Sequence, residues 1–158
     1  MMKKNLIFLF LFTSIISWSQ ETTELKVYSF EEVEKLHKKT PKPIVVFIHA
    51  DWCKYCHGML KKTFTDEKVI TLLNSSFYFI KLNGEEKKNI TFLGKTFVYK
   101  PNGNFGTHEL ASELATKRKR MVYPTTTILD KEFAISLQLD GFVNKRKMAS
   151  VLKRAKKL

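Results

Sequence analysis

Two cysteines, Cys53 and Cys56, are all that the 158 residues contain. No second cysteine pair and no histidine pair accompanies them, so the four-ligand sets of structural zinc sites lack a complete candidate. The two lie three residues apart, and a disulfide closing so short a loop constrains the unfolded chain little, which makes it a poor staple. Acidic residues are also few, 15 against 28 lysines and arginines, for a formal net charge of +13. No cysteine follows the apolar segment near the N-terminus, so a bacterial lipoprotein anchor is unsupported.

That N-terminal segment has the layout of a targeting signal. Lys3 and Lys4 precede an apolar run from Leu6 to Ile16, broken only by Thr13 and Ser14, and Ser17-Trp18-Ser19 puts small residues where a signal peptidase reads. The run is short for a membrane span. The expectation is a signal peptide over 1–19, cleaved before Gln20, with an uncleaved anchor as the alternative. The protein is then periplasmic or secreted, where disulfides persist. Residues 20–158 have the size of one domain. Basic clusters stand at Lys117–Arg120, Lys145-Arg146-Lys147 and Lys153–Lys157. Nucleic acid is one reading of them. An exported chain meets little of it, and cations are favourable at helix ends, so a solvated basic surface and no nucleic-acid partner is the reading adopted. Contact with anionic membrane or acidic partners stays open.

The chain is organised around Pro43–His57. Ile44–Ile48 is a β-branched apolar run and predicts a buried strand. Met59, Leu60 and Phe64 follow at helical spacing and put Cys53 and Cys56 at the start of a helix. Residues at i and i+3 share a helix face, and a small adjustment at the first turn brings two cysteines within disulfide range. At a helix N-terminus the dipole and free N–H groups favour a thiolate on the first cysteine. The second, one turn deeper, can attack a mixed disulfide formed on the first. This spacing suits a reversible dithiol/disulfide switch. Rival readings use the same residues: Cys53-x-x-Cys56-His57 as a c-type haem attachment, or a zinc site from Cys53, Cys56, His57 and His49.

Around this stretch, Leu25–Tyr28 reads as a short first strand. Ser29 and Glu32 form a capping box, with Tyr28 and Val33 placed to staple it, and Phe30, Val33 and Leu36 make the apolar stripe of the helix that follows. His37 lies beside the stripe, as a surface or boundary residue. Thr65 is placed to cap a helix over Asp66–Asn74, and Phe77–Leu82 is the next strand, parallel to the first through a βαβ crossover. Ile90–Phe92 and Thr96–Tyr99 flank Leu93-Gly94-Lys95 as a hairpin. Pro101–Asn104 breaks the pattern, and Thr107 and His108 open a helix carrying Leu110, Ala111, Leu114 and Ala115. Thr125–Leu129 and Ile135–Leu139 are strands. Asn144 caps a last helix with Met148, Val151, Leu152 and Ala155 inside.

Trp52-Cys53-Lys54-Tyr55-Cys56 resembles the Trp-Cys-x-x-Cys motif of the thioredoxin superfamily, and is closer to the thioredoxin-related proteins of bacterial cell envelopes than to cytosolic thioredoxin. Tyr123-Pro124 before a β-branched strand is similar to that family's cis-proline segment. The resemblance covers about Leu25 to the end. It implies an α/β thioredoxin fold, a central mixed β-sheet flanked by helices, with the hairpin as an insertion at about 84–106 before the cis-proline strand. It implies a thiol–disulfide oxidoreductase whose only cofactor is the Cys53–Cys56 pair, with Cys53 as nucleophile and Cys56 as resolving cysteine. Trp52, Tyr123 and Pro124 would border the substrate, and Lys54, Tyr55 and His57 would tune the pair. Its partners would be protein disulfides or dithiols and a membrane electron donor, and the chain would act as a monomer. Reduction or isomerisation is favoured over oxidation by that analogy, and the alternative on the same fold is a non-catalytic binding protein that uses the hairpin as a scaffold with the disulfide idle.

Two departures stand out. Thioredoxin carries a buried acid where Phe47 stands here, so the proton acceptor for Cys56 must differ; Asp51 lies near solvent, and His49 is either a proton carrier or a filler of a position aromatic in relatives. The residues between the cysteines are Lys54 and Tyr55. The charges of Lys54 and protonated His57 favour the thiolate and hence a more oxidising pair.

Overall fold

The computed structural model describes residues 24–103, 105–117 and 120–158. The expected signal peptide over 1–19 lies outside these residues, as does part of the basic cluster at Lys117–Arg120.

Ile44–His49 forms β1, and every one of its six side chains is buried. A strand buried on both faces reads as a continuous apolar run, which is why Ile44–Ile48 shows no alternation. β1 pairs in parallel with β2 (Tyr78–Asn83) and antiparallel with β9 (Thr125–Leu129), and β9 pairs antiparallel with β10 (Ile135–Asp140). The four-stranded mixed sheet runs β10-β9-β1-β2.

Helices cover both faces. Val45 and Phe47 point to one, where Met59, Val69, Leu73, Met148 and Leu152 complete a core from α2 (Lys54–Lys62), α3 (Glu67–Ser76) and α5 (Lys145–Ala155). Ile44, Val46 and Ile48 point to the other, against Phe30 and Val33 of α1 (Phe30–His37) and Leu110, Ala111 and Leu114 of α4 (Glu109–Ala115). The sheet and its two helical layers are the fold expected from the motifs.

Local signals decide the helix ends. Ser29 and Glu32 form the reciprocal capping box, and Asn144 accepts from the Lys147 amide at 3.0 Å. The stripe of α1 differs from expectation at its end: Leu36 is exposed, while His37 is buried with its ring 4.4 Å from that of Phe133. Asp66, not Thr65, holds the N-cap position of α3; its carboxylate reaches Lys145 Nζ at 3.0 Å, and Thr65 Oγ1 instead donates to the Lys61 carbonyl.

Leu25–Tyr28 is not a strand. It makes one backbone bond at the β2 edge, Tyr28 N to Phe79 O, and the Asn74 side chain holds its start, accepting from Lys26 N and donating to the preceding Glu24 O. A side-chain amide has replaced the ladder.

The insertion holds two hairpins where one was expected. In the first, β3 (Ile90–Phe92) and β4 (Lys95–Phe97) turn through Leu93 and Gly94, both at positive φ (53° and 75°). That is the conformation a tight two-residue hairpin loop requires. In the second, β5 (Tyr99–Asn102) pairs with β6 (Phe105–His108). Pro101 therefore sits inside an isolated two-stranded ribbon, where no central-strand ladder is broken. Thr107 and His108 belong to β6 and not to a helix start. A two-residue ladder of β7 (Thr116–Lys117) and β8 (Arg120–Met121) follows α4.

Candidate functional site

β1 ends at His49, and the chain turns at once. Cys53 N donates back to the Ala50 carbonyl at 3.1 Å, and Cys53 becomes the N-cap of α2. Here the capping acceptor is sulfur. Cys53 Sγ receives the Cys56 amide at 3.1 Å and is bonded to Cys56 Sγ, with the two Cα atoms 5.2 Å apart. A helix N-terminus leaves backbone N–H groups without intrahelical partners, and one of them is aimed at the Cys53 sulfur. The first turn of α2 contains no acidic residue to oppose a thiolate.

Both cysteines lie at the top of the Phe47 face of the core, Cys53 4% and Cys56 1% exposed. The side chains between and before them face water: Trp52 is 65% and Tyr55 70% exposed. Lys54 is exposed at the first position of the helix. His57 is turned away to the strand end, where its Nε2 lies 2.7 Å from the Asp51 carbonyl; an oxygen can only accept, so this nitrogen carries the proton.

The cis-proline segment arrives from the antiparallel neighbour. Tyr123–Pro124 is a cis bond, and β9 begins one residue later with Thr125 opposite Ile48. Tyr123 thus reaches the redox turn, and its ring meets Trp52 edge-on with centroids 5.7 Å apart. Its hydroxyl is buried without a hydrogen-bond partner. Burial first, and the nearby Glu85 carboxylate second, push its pKa up to about 12.

Phe47, in the place of an acid, is fully buried and packs with the cysteines, so the floor of the site is apolar. His49 is the next residue on that face. Its ring stacks on Phe47 at 5.9 Å, and Nδ1 faces the Asp51 carboxylate at 3.9 Å. Burial is the main reason its pKa is lowered; Lys81 and His57 add to the effect and Asp51 opposes it. Asp51 itself is 82% exposed at its side chain. Among the described residues no three His, Cys, Asp or Glu side chains cluster as metal ligands. The pronounced clefts elsewhere, such as one lined by Tyr28, Ile80, Glu86 and Ile90, do not reach the cysteines.

Reading motifs alone missed Glu85 and Gly84. Glu85 accepts the Trp52 indole N–H at 2.8 Å. Gly84 lies under Tyr123, where an added Cβ would overlap the phenol oxygen. The signal was the parallel pairing: His49 aligns with Asn83, so the residues just past β2 must flank the residues just past β1.

Residues 30–156 match the model of the thioredoxin-like domain family. Among solved structures the chain is similar to a DsbH oxidoreductase (19% identity, TM-score 0.58, covering 85% of this chain and 86% of that one). It is also similar to the reduced C-terminal domain of DsbD from Neisseria meningitidis (17%, TM-score 0.54, 79% and 91%). A thioredoxin from Thermus thermophilus aligns at 21% identity and TM-score 0.52, covering 85% and 86%. At such identities the likeness establishes the fold. In sequence, 76 residues are 32% identical to the uncharacterized protein B0495.5 of Caenorhabditis elegans, covering 48% of this chain and 10% of that protein. Another 61-residue match, 33% identical, is to spermatogenesis-associated protein 20 of Mus musculus, covering 39% and 8%. The chain spans about a tenth or less of these two relatives.

Proposed function

Because the chain belongs to the thioredoxin-like domain family and carries a Cys53–Cys56 disulfide at a helix N-terminus, we propose that it is an exported thiol–disulfide oxidoreductase acting on protein disulfides. The observation that carries the reading is the capping role of Cys53: its sulfur already accepts a backbone N–H, and the same donor serves the thiolate after reduction.

In the reductive direction the Cys53 thiolate attacks one sulfur of a substrate disulfide. A mixed disulfide forms, and the other substrate sulfur leaves as a thiolate. Cys56, deprotonated, attacks Cys53 Sγ and releases the first substrate sulfur. The substrate gains two electrons and ends as two thiols, their protons coming from the two cysteine thiols by way of solvent. The protein is left with its disulfide, and an external dithiol, such as a membrane electron donor, restores it. Isomerisation stops at the mixed disulfide and returns through a different substrate thiol. By this reading Trp52, Tyr123 and Pro124 border an extended substrate segment, and Lys54, Tyr55 and His57 tune the pair. The chain works as a monomer outside the cytoplasm, with no cofactor but its own disulfide and no nucleic-acid partner.

The test is turnover of a protein disulfide by wild-type protein and Cys53→Ser, with dithiothreitol as reductant. The variant is expected to lose all turnover above the uncatalysed rate. Retained turnover overturns the reading.

A further inference from the structure

The sheet has two ends of opposite character. β1 runs from Ile44 toward the redox turn after His49, and β10 starts at Ile135, paired with Leu129, which itself faces Ile44. The starts of β1 and β10 therefore share the pole away from the cysteines, roughly 17 Å from the redox turn along a six-residue strand. α5 runs toward that pole. The Phe142 ring, just before it, lies against Gly58 of the cysteine helix, while Leu158, just after it, lines a groove with Ser136 of β10.

Positive charge collects there. Every charged residue from Gly141 to Leu158 is a lysine or an arginine. Met148, Leu152 and Ala155 take the apolar face of α5 into the core, so its cations are exposed. Among the described residues only Lys145 of these, in the first turn, has an acidic partner, Asp66 at 3.0 Å. Lys153, Arg154, Lys156 and Lys157 lie at the pole end. Lys38 and Lys39, exposed after α1, stand at the same pole, because His37 packs on Phe133 of the β9–β10 connection. Asp130 of that connection is engaged within its own turn, accepting from Glu132 N, Ala134 N and Ser136 Oγ, which leaves Glu132 as the other acid of the turn. Beside the cations runs a groove lined by Leu137, Leu139, Val151 and Leu158 together with Lys147 and Arg154. Ile135 and Leu158 expose apolar surface at this end.

We propose that this pole docks on an anionic phospholipid bilayer and holds the protein with Cys53–Cys56 turned away from the membrane. The proposal stands on charge and shape, apart from the oxidoreductase reading. Cations on long mobile stems, spread over a helix and a turn from another element, match a field of lipid phosphates. An acidic protein would need carboxylates fixed at the same spacing. The apolar face of α5 is already buried, so the helix lies on the headgroups instead of sinking among acyl chains. Ile135, Leu158 and the groove add the apolar contact. Such an attachment is mainly electrostatic and must weaken with salt. Each cation near the surface contributes up to about fivefold in partition.

The experiment cosediments full-length protein with vesicles of phosphatidylcholine alone and of equimolar phosphatidylglycerol and phosphatidylcholine. Binding to phosphatidylcholine alone measures what the apolar N-terminal segment contributes, and the anionic excess is the readout. Lys153→Gln, Arg154→Gln, Lys156→Gln and Lys157→Gln combined are expected to cut the excess at least about tenfold. A control quartet, Lys61→Gln, Lys62→Gln, Lys87→Gln and Lys88→Gln, makes the same charge change beside the start of α5 and past the end of β2. It is expected to cut the excess less than about twofold. Lys38→Gln with Lys39→Gln lies outside α5 and cannot unravel it; a loss of about threefold is expected. Bound and free protein are expected to be reduced by a phosphine and alkylated at Cys53 and Cys56 at equal rates. No anionic excess in wild type, equal losses in the two quartets, an excess insensitive to salt, or protection of the cysteines on vesicles overturns the proposal. Retention on immobilised polyglutamate by a protein that does not bind vesicles also overturns it, and assigns the pole to an acidic protein partner.

Discussion

Gly84, just past β2, and Tyr123, just before β9, are matched in size where they meet. A methyl group at 84 has nowhere to go, since the built Cβ meets the phenol oxygen and two ring carbons. Gly84→Ala is therefore expected to destabilise the protein by about 1–3 kcal/mol, the usual cost of overpacking. Urea denaturation measures it. In a Tyr123→Leu background, which withdraws the ring, the cost should shrink; strict additivity would show that the two residues do not compete for the same space. His49 supports a second prediction. Its pKa is lowered in the fold, chiefly by burial, so the unfolded chain binds its proton more readily. Stability is then full above the ordinary value of 6.5 and declines as pH falls through that value toward the lower folded one. The groups facing His49 from its neighbours are Lys81 on β2, Asp51 in the turn and His57 on α2. His49→Phe, which keeps a ring on Phe47, is expected to remove the decline in urea midpoint between about pH 7 and pH 5. An undiminished decline in the variant would place its origin elsewhere.

Among the elements, those with a local cause were legible in the sequence and those with a tertiary cause were not. Ser29 with Glu32, Asn144 and the β-branched run of β1 each carry their instruction within a few residues, and each formed as expected; the first hairpin formed too, but with Lys95 in β4 and not in the loop. Leu25–Tyr28 has strand composition, but Asn74, some fifty residues on, takes the Lys26 amide and the Glu24 carbonyl, and no local pattern announces that. His37 displaced Leu36 from the core because Phe133, from the β9–β10 connection, packs against the imidazole. Pro101 hides the second hairpin, because a proline breaks a central strand yet is tolerated in an isolated two-stranded ribbon. At the site, the cysteine pair and the cis-proline were legible as motifs, while Glu85 and Gly84 act through strand register and have no motif. The insertion also has a pH-dependent anchor. Glu109 accepts from the Val98 amide at 3.0 Å and pairs with Lys100 at 3.1 Å, and these lower its pKa, the Val98 bond most. A depressed carboxylate stabilises the fold above its unfolded value, ordinarily 4.5, and ceases to do so as pH falls through the lower folded value. Glu32 and Asp66 are shifted the same way, so the comparison must be differential. Wild type is expected to exceed Glu109→Gln in urea midpoint at pH 6, and the gap should close as the pH is taken below about 4. A gap that does not narrow as the pH falls would assign the effect to packing and not to charge.

At the scale of the whole molecule, charge and topology act on the same bond. The formal net charge is +13, Lys54 stands beside Cys53, and the first turn of α2 has no acid. Phe47 removes the negative charge that an acid would place beneath the pair. All four favour the Cys53 thiolate over the neutral thiol, and a stabilised thiolate makes the disulfide more oxidising. The reduction potential is therefore expected above that of thioredoxin, about −270 mV, and toward that of protein disulfide isomerase, about −180 mV. In that range a pair can both break and re-form protein disulfides, which is what reduction and isomerisation together demand. Lys54 is exposed, so its share is modest: Lys54→Gln is expected to move the potential down by roughly 5–20 mV, the equivalent of one charge at a helix end. Equilibration with glutathione at two salt concentrations measures it, and the shift should shrink in high salt as a screened surface charge must. A wild-type potential at or below about −270 mV would mean that neither helix end nor lysine governs the thiolate. The protein would then be a reductase dependent on an external electron donor for every turnover, and isomerisation would be excluded as its main work.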